Sequence, residues 1–240
     1  MDTSGQPIYR GAIKDWDQME KLWQNLTEQV NMSASDEVSI MLIESSKSTV
    51  HDRTKWAEMM FELFRAPSLC IGNSASLTVF ASGRTTGLAV ECGAGITSTT
   101  PIFEGLALKH AAISIDYGGQ DITMNLKKLF NEKNIDIDLP SAKIVKEKLA
   151  FVAGSNMTDP MSTFCLPDGT DVTVETKILS ACTDSFFVNK KIGTEGLINQ
   201  VHESIVLCDD SVKRDLAHNI IISGGTSMIP GTRFTTYSST

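Results

Sequence analysis

Residues 87–105, GLAVECGAGITSTTPIFEG, contain the turn on which the fold depends. An apolar run ends at Val90, glycines follow at Gly93 and Gly95, and a Thr-rich run begins at Ile96. Glycine at such a turn allows a positive φ, or a close approach of two backbones, that a Cβ would prevent. Both runs have the composition of strands. The stretch is therefore either an ordinary turn between two strands or a loop that cradles a phosphate group.

A second glycine turn occurs at residues 223–226, SGGT. It follows an apolar strand candidate at 219–222 and leads into residues that can open a helix. A strand, a glycine pair and a hydroxyl residue together let backbone N–H groups approach an anion with no Cβ in the way. Two such turns in one chain favour a shared nucleotide pocket, and two unrelated turns are the alternative.

The hydrophobic periodicity predicts an α/β chain in which helices and strands come in mixed order. Apolar residues at three- and four-residue spacing indicate helices, which we predict at 15–29, 53–65, 74–83, 121–130, 142–153 and 195–208. Short apolar or alternating runs indicate strands, which we predict at 39–45, 68–73, 86–95, 96–105, 106–119 and 219–225.

A hairpin is predicted at residues 164–174, FCLPDGTDVTV, because the turn residues Pro167, Asp168 and Gly169 lie between alternating strand residues. The polar stretch before it, residues 154–163, is predicted to be a loop.

The composition is that of an ordinary globular protein with no affinity for polyanions. The chain has 240 residues, 41% of them hydrophobic, and a net charge of -8. An acidic chain repels nucleic acid and anionic membrane surfaces, so we expect neither as a direct partner. Its five cysteines are odd in number and widely spaced, so neither a disulfide framework nor a zinc site is expected and a reducing compartment fits best.

Several segments, in order and at nearly the expected spacing, resemble actin and the actin-related proteins. They are WDQMEKLW (16–23), FELFRAPSL (61–69), ASGRTTGLAVECGAGITSTTPIFEGLALKHA (81–111), GGQDIT (118–123), IVKEKLAFVA (144–153), LPDG (166–169) and IISGGTSMIPG (221–231). The resemblance implies an α/β, actin-like two-lobed fold of the actin, Hsp70 and sugar-kinase type. It also implies a central cleft for ATP and a divalent cation.

The resemblance also predicts how the chain divides into subdomains. Residues 1–81 correspond to a remnant of the first subdomain, 82–117 to the first part of the third, 118–207 to the fourth, and 208–240 to the second part of the third. We expect the first subdomain to be incomplete, because the family's first phosphate loop and its C-terminal region have no counterpart in this sequence. The apolar faces of the helices around Trp23 and Trp56 are then expected to be exposed.

The nucleotide-site residues that the resemblance implies fall into three groups. The cradle of the β- and γ-phosphates is Gly93, Ala94, Gly95 and Ile96. The positions around ribose and adenine are Gly119, Lys143, Lys146 and Glu147. The opposite wall of the cleft is Gly224, Gly225, Thr226, Met228 and Ile229. Because half of the phosphate clamp lacks a counterpart, we expect weak binding of ATP or ADP.

Four positions depart from the family pattern in ways that bear on hydrolysis. Glu91 and Ala94 stand where actin has aspartates that hold the water shell of the cation. Ser74 replaces the glutamine that orients the attacking water, and Ser98 replaces a histidine. Serine cannot relay a proton as imidazole does. These departures put Mg²⁺ binding in doubt, and we predict no catalytic residue and no protein metal ligand.

The leading hypothesis is a diverged actin-related protein with a structural or scaffolding role in the cytoskeleton and little or no ATP hydrolysis. Its expected partners are cytoskeletal or actin-family proteins, and its expected location is the cytoplasm, with the nucleus as an alternative. A working, filament-forming ATPase is the rival hypothesis. A partial chain of a longer actin-related protein is a third.

Overall fold

A computed structural model describes residues 6–30, 38–152, 161–165, 169, 171–187 and 196–232. The helices are α1 (Trp16–Gln29), α2 (Val50–Glu58), α3 (Ser74–Ala81), α4 (Gly119–Glu132), α5 (Leu139–Leu149), α6 (Thr176–Phe187), α7 (Leu197–Val206) and α8 (Asp210–His218). The strands are β1 (Ile8–Tyr9), β2 (Ala12–Ile13), β3 (Ile40–Glu44), β4 (Leu69–Asn73), β5 (Gly87–Cys92), β6 (Thr97–Phe103), β7 (Leu106–Ala107), β8 (Ile113–Ile115), β9 (Met161–Cys165), β10 (Asp171–Glu175) and β11 (Ile220–Ser223).

The main sheet has five strands in the order β11-β5-β6-β7, with β8 also paired to β6. β11 runs parallel to β5, and the other pairs are antiparallel. β5 is buried at nearly every position, as its apolar sequence predicts for a strand covered on both faces. The pairing of Cys92 with Thr97 leaves four residues to connect β5 and β6. The predicted glycine turn is therefore a tight hairpin connection.

The two faces of β5 contact different parts of the molecule. Leu88, Val90 and Cys92 belong to the large core. Ala89, on the other face, packs in a smaller cluster with Val79 of α3. Alternation of side chains along a strand accounts for this division. The main sheet thus separates the large core from α3.

The N-terminal part contains a second, two-stranded sheet in which β3 and β4 run parallel. Trp23 of α1 and Trp56 of α2 pack against one face of this sheet, around Leu42 and Met60. The two indole rings meet edge to face with centroids 5.8 Å apart. The expectation that these helix faces are exposed is therefore wrong for the two tryptophans, because the β3–β4 pair gives them a surface to cover.

The opposite face of the β3–β4 pair carries apolar residues that are exposed. Met41 and Ile43 are 53% and 65% exposed, and Cys70, which pairs in register with Met41, is exposed as well. Among the described residues, β3 has no strand neighbour other than β4. Apolar surface is therefore exposed on the outer face of β3, and also at Leu22 and Leu26 of α1 and at Phe61 and Leu63 after α2.

Several predicted boundaries need correction. The helix predicted at 53–65 starts at Val50, capped by Thr49, and ends in a π-helical turn, Met59–Leu63. The helix predicted at 142–153 spans Leu139–Leu149. It stops there because Ala150 is extended, with a ψ of 144°, and the N–H of Val152 then donates to the carbonyl of Pro230 at 2.8 Å. Helices α6 and α8 and the short hairpin β1–β2 were not predicted.

The predicted hairpin near residue 169 is confirmed in its strands. β9 and β10 pair antiparallel, with Cys165 opposite Asp171. Pro167 and Asp168 of the predicted turn lie outside the described residues. The loop predicted at 154–163 is wrong at its end, since β9 begins at Met161. The proposed subdomain limits stay a prediction. No helix in the described part of the chain is long and apolar enough to cross a membrane.

Candidate functional site

Three segments that are distant in sequence meet at the glycine turn after β5. The carbonyl of Gly93 accepts hydrogen bonds from the N–H of Gly119, at 3.0 Å, and from the hydroxyl of Thr226, at 2.8 Å. The N–H of Gln120 donates to the carbonyl of Ala94 at 2.8 Å. The start of α4 and the 3₁₀ turn Gly225–Met228 are therefore fixed to the same four-residue turn.

Two glycines allow this close approach. A Cβ on Gly118 would lie 2.7 Å from the carbonyl oxygens of both Gly93 and Ala94. Gly224 has a φ of 91°, and a Cβ there would lie 2.3 Å from the carbonyl oxygen of Cys92. Both positions therefore require glycine. The second glycine turn contacts the first directly, so the two turns belong to one site.

Three backbone donors remain at the centre of the turn. The N–H of Gly93 is used within the turn, since it donates to the carbonyl of Ile96 at 2.9 Å. The N–H groups of Ala94, Gly95 and Ile96 have no protein acceptor among the described residues. Consecutive free N–H groups of this kind form a concave site suited to an anion.

Lys146 of α5, which the resemblance assigns to the ribose and adenine side, contacts Gly119 at the start of α4, next to the glycine turn. Its ammonium group donates to the carbonyl of Gly119 at 3.0 Å, and the residue is only 7% exposed. Burial lowers the pKa of Lys146, because a charged ammonium loses its hydration. Among the described residues Lys146 has no salt-bridge partner. A ligand anion next to it would favour its charged form.

The hairpin β1–β2 lies against the other side of the turn. Arg10, at the hairpin tip, donates from Nη1 to the carbonyl of Gly95 at 2.8 Å. The same guanidinium group makes a bidentate ion pair with Asp121, at 2.5 and 2.7 Å. The hydrogen bonds to Asp121 raise the pKa of Arg10 above its usual range. Gly11 follows with a φ of 71° and packs on Ile96. The hairpin therefore closes one side of the site.

A cavity of about 830 Å³ opens next to these segments. Nine of the thirteen predicted site residues line it: Ala94, Gly119, Lys143, Lys146, Glu147, Gly225, Thr226, Met228 and Ile229. The other four support the wall or complete the turn: Gly93, Gly95, Ile96 and Gly224. Six further residues line the cavity and were missed by sequence reasoning: Gln6, Tyr9, Gln120, Thr123, Leu139 and Pro140.

The sequence carried only a weak signal for the missed residues. Gln120 and Thr123 lie beside Gly119 within the GGQDIT segment, so their neighbourhood was identified. Leu139 and Pro140 open α5 after the cap Asp138, whose carboxylate accepts from the N–H of Ser141 at 3.0 Å. Gln6 and Tyr9, at the hairpin β1–β2, had no sequence signal, because strands of two residues are too short to show a periodicity.

Three of the four positions that depart from the actin pattern, Glu91, Ser74 and Ser98, form one cluster. Ser74 and Ser98 donate to the same carboxylate oxygen of Glu91, at 2.9 and 3.4 Å, and Thr78 donates to the other oxygen at 3.4 Å. Burial raises the pKa of Glu91, and the three hydroxyl donors oppose that shift. The side chain of Glu91 is longer than that of an aspartate, and both serines donate hydrogen bonds to its carboxylate.

A mixed α/β fold with two glycine turns that meet at one cavity is consistent with an actin-like α/β protein. The family model described as Actin matches residues 3–158 and 142–234. The match covers nearly the whole sequence, so the chain belongs to the actin family.

Proteins with this fold generally bind ATP or ADP with Mg²⁺. No group of three or more His, Cys, Asp or Glu residues suited to a metal ion occurs in the described ranges. The carboxylates nearest the turn are already bonded, Asp121 to Arg10 and Glu91 to its hydroxyl donors. Mg²⁺ needs oxygen ligands in near-octahedral geometry. The residues present do not fit a protein-held Mg²⁺ ion.

Proposed function

We propose that this actin-family chain binds an adenine nucleotide weakly in its cavity, hydrolyses it little or not at all, and acts as a structural or scaffolding subunit. The observation that carries the proposal is the hydrogen bonding of Ser74 and Ser98 to Glu91. These three positions correspond, by the family resemblance, to the groups that place water and cation for hydrolysis. Here their polar atoms are directed at each other.

Support for nucleotide binding comes from the shape and chemistry of the cavity. Its volume of about 830 Å³ lies in the range of about 300–1,000 Å³ usual for small-molecule and cofactor sites. Free N–H groups and Lys146 lie at one end, where phosphates would bind. Leu139, Pro140, Met228 and Ile229 supply apolar wall elsewhere, as a nucleobase requires.

Support for low turnover comes from the positions that orient water. Phosphoryl transfer is catalysed almost entirely by positioning and electrostatic stabilisation. Ser74 and Ser98 are short, and each already donates to Glu91. Ala94 has no polar side chain at all. A water molecule next to the γ-phosphate would therefore lack the groups that orient it for attack.

The cellular role that we infer is cytoskeletal. Membership of the actin family favours partners that are themselves cytoskeletal or actin-family proteins, and a location in the cytoplasm, with the nucleus as the alternative. The exposed apolar residues Met41 and Ile43 are consistent with a chain that associates with other proteins.

Two measurements test the proposal. Isothermal titration with ADP and with ATP should give weak and similar affinities, because binding depends more on the adenosine part than on the γ-phosphate. Single-turnover hydrolysis of ATP with Mg²⁺ should be far slower than that of conventional actins. Actin-like hydrolysis by protein free of contaminating ATPases would instead support the rival function, a filament-forming ATPase. The absence of any nucleotide binding would reject the proposal outright.

A further inference from the structure

The negative groups around the glycine turn are unavailable to a cation. Both oxygens of Asp121 accept hydrogen bonds from Arg10, and one of them also accepts from the N–H of Gly118 at 2.8 Å. The side chain of Asp121 is only 13% exposed. A carboxylate that is ion-paired, bonded three times and largely buried is a poor ligand for a hard divalent ion, because it would have to give up these bonds.

The second carboxylate, that of Glu91, is surrounded by hydroxyl groups of α3 and β6. It lies on the face of β5 that carries Ala89 and contacts α3, and its oxygens accept from Ser74, Thr78 and Ser98. Ala94, which is part of the turn itself, is exposed and carries only a methyl group. Neither Asp121 nor Glu91 is therefore free to hold a cation or its water shell, and the remaining acid of the cavity lining, Glu147, belongs to α5.

Two positively charged side chains, Lys146 and Arg10, also lie close to the glycine turn. Lys146 lines the cavity and bonds to Gly119, which in turn bonds to the turn at Gly93. Its charge meets no carboxylate within salt-bridge distance in the described part of the chain. Arg10 supplies five N–H donors, of which three are used by Gly95 and Asp121. An unpaired buried ammonium group is unfavourable until an anion approaches it.

We propose that the cavity binds the phosphates of a nucleotide without a divalent cation, with Lys146 as their counter-ion beside the free N–H groups of Ala94, Gly95 and Ile96. This inference rests on the proposed nucleotide binding. It differs from the family expectation, in which the cation neutralises the phosphates. A buried lysine and backbone donors can neutralise phosphate charge directly, as they do in other phosphate-binding loops.

The test is the affinity of the whole chain for ADP, measured by isothermal titration in excess EDTA and again in excess Mg²⁺. We expect the two dissociation constants to agree within about threefold, a difference of about 0.7 kcal/mol. Binding that is tenfold or more tighter with Mg²⁺ would overturn the inference and leave the proposed function standing. An absence of binding under both conditions would reject the proposed function, and the inference with it.

A pair of substitutions at Ala94 gives a matched control. Because Ala94 is exposed, Ala94→Asp and Ala94→Asn should both fold, and they differ by one charge. In EDTA we expect Ala94→Asp to weaken ADP binding about tenfold, because its carboxylate repels the phosphates, and Ala94→Asn to weaken it less than threefold. Equal affinities of the two variants in EDTA would show that the phosphates do not lie at the turn, and would overturn the inference.

A second pair tests the counter-ion. Lys146→Met should weaken ADP binding in EDTA by tenfold or more. Lys148→Met, on the exposed side of the same helix, should leave it within twofold. If Lys146→Met binds ADP as tightly as the unmodified chain, Lys146 is not the counter-ion. If Lys146→Met does not fold, the Ala94 pair still decides whether phosphates bind there without a cation.

Discussion

Arg10 and Asp121, 111 residues apart in sequence, form a bidentate ion pair with hydrogen bonds of 2.5 and 2.7 Å. Their side chains are 17% and 13% exposed, so the pair is largely shielded from water. It fastens the N-terminal hairpin to the first turn of α4, directly beside the glycine turn. The pair therefore connects the beginning of the chain with the candidate site.

Removing the cation of this pair should destabilise the protein. Arg10→Gln leaves Asp121 without its partner in a largely buried place, and we expect the free energy of unfolding to fall by about 2–3 kcal/mol. Urea unfolding followed by fluorescence measures this. Lys55→Gln, which breaks the exposed pair with Glu58, is the matched control and should have no measurable effect. Equal effects of the two substitutions would contradict the prediction.

The close approach at Gly118 predicts a strong steric effect. Gly118→Ala places a Cβ 2.7 Å from two carbonyl oxygens of the glycine turn, so backbone must move, and we expect a loss of about 3 kcal/mol in unfolding free energy. Gly225→Ala is the control, because no atom lies within 4 Å of a Cβ there. Its stability should stay within about 0.5 kcal/mol of the parent. Thermal unfolding of both variants distinguishes a steric effect from a general intolerance of the site.

The raised pKa of Glu91 predicts a pH-dependent stability. Burial, the largest cause, disfavours the ionised carboxylate in the folded state. The penalty is present above the raised pKa and disappears below the pKa of the unfolded chain, so the folded state loses stability as pH rises between the two. Glu91→Gln should therefore be more stable than the parent at pH 7.5, and the difference should shrink toward pH 4.5. A constant difference over this range, in urea unfolding, would count against the prediction.

The cluster around Glu91 predicts coupling between substitutions. Ser74→Gln together with Ser98→His enlarges two residues that both contact the same carboxylate, so the pair should crowd Glu91 and destabilise the fold. Adding Glu91→Asp shortens the carboxylate arm and should recover part of the loss, with an interaction energy of at least about 1 kcal/mol. Unfolding free energies of the parent, the double, the single and the triple variant measure it. Strict additivity would show that the three side chains are independent.

The outer face of β3 predicts self-association. Met41 and Ile43 form an exposed apolar pair on a strand with one described neighbour, the arrangement that natural edge strands avoid by placing charge there. The double variant Met41→Lys/Ile43→Lys should stay monomeric to at least tenfold higher concentration, a change of about 1.4 kcal/mol. Val50→Lys, at an 80% exposed residue elsewhere, is the control. Light scattering after size-exclusion chromatography measures the monomer fraction, and an equal shift in both variants would contradict the prediction.

The parts of the fold that were predictable depend on local signals. The helix predicted at 15–29 starts within one residue of α1, because the carboxylate of Asp15 caps it by accepting from the N–H of Gln18 at 2.9 Å. β5 and β6 followed from their composition and from the glycines between them. Helix α8 was missed because only Val212 and Leu216 are buried in it, too few to give a clear periodicity.

The parts of the site that were not predictable depend on distant contacts. The two glycine turns could be found in the sequence, and the structure brings them together. The bond between Ser74 and Glu91 could not be found, because it needs the packing of α3 on the sheet and the length of one side chain. Helix α6 was missed although its buried residues recur at the spacing of one helix face: Ile178, Leu179, Cys182, Thr183, Phe186 and Phe187.

Helix α3 follows β4 of the small sheet without an intervening residue, and it also packs against the main sheet through Val79 and Ala89. Its Ser74 and Thr78 hold Glu91 on that sheet. A change in the angle between the two sheets would therefore have to bend α3 or break its hydrogen bonds to the carboxylate of Glu91. Ionisation of Glu91 strengthens the hydrogen bonds that these two hydroxyl groups donate to it, so the charge of one acid changes how firmly α3 is attached to the main sheet.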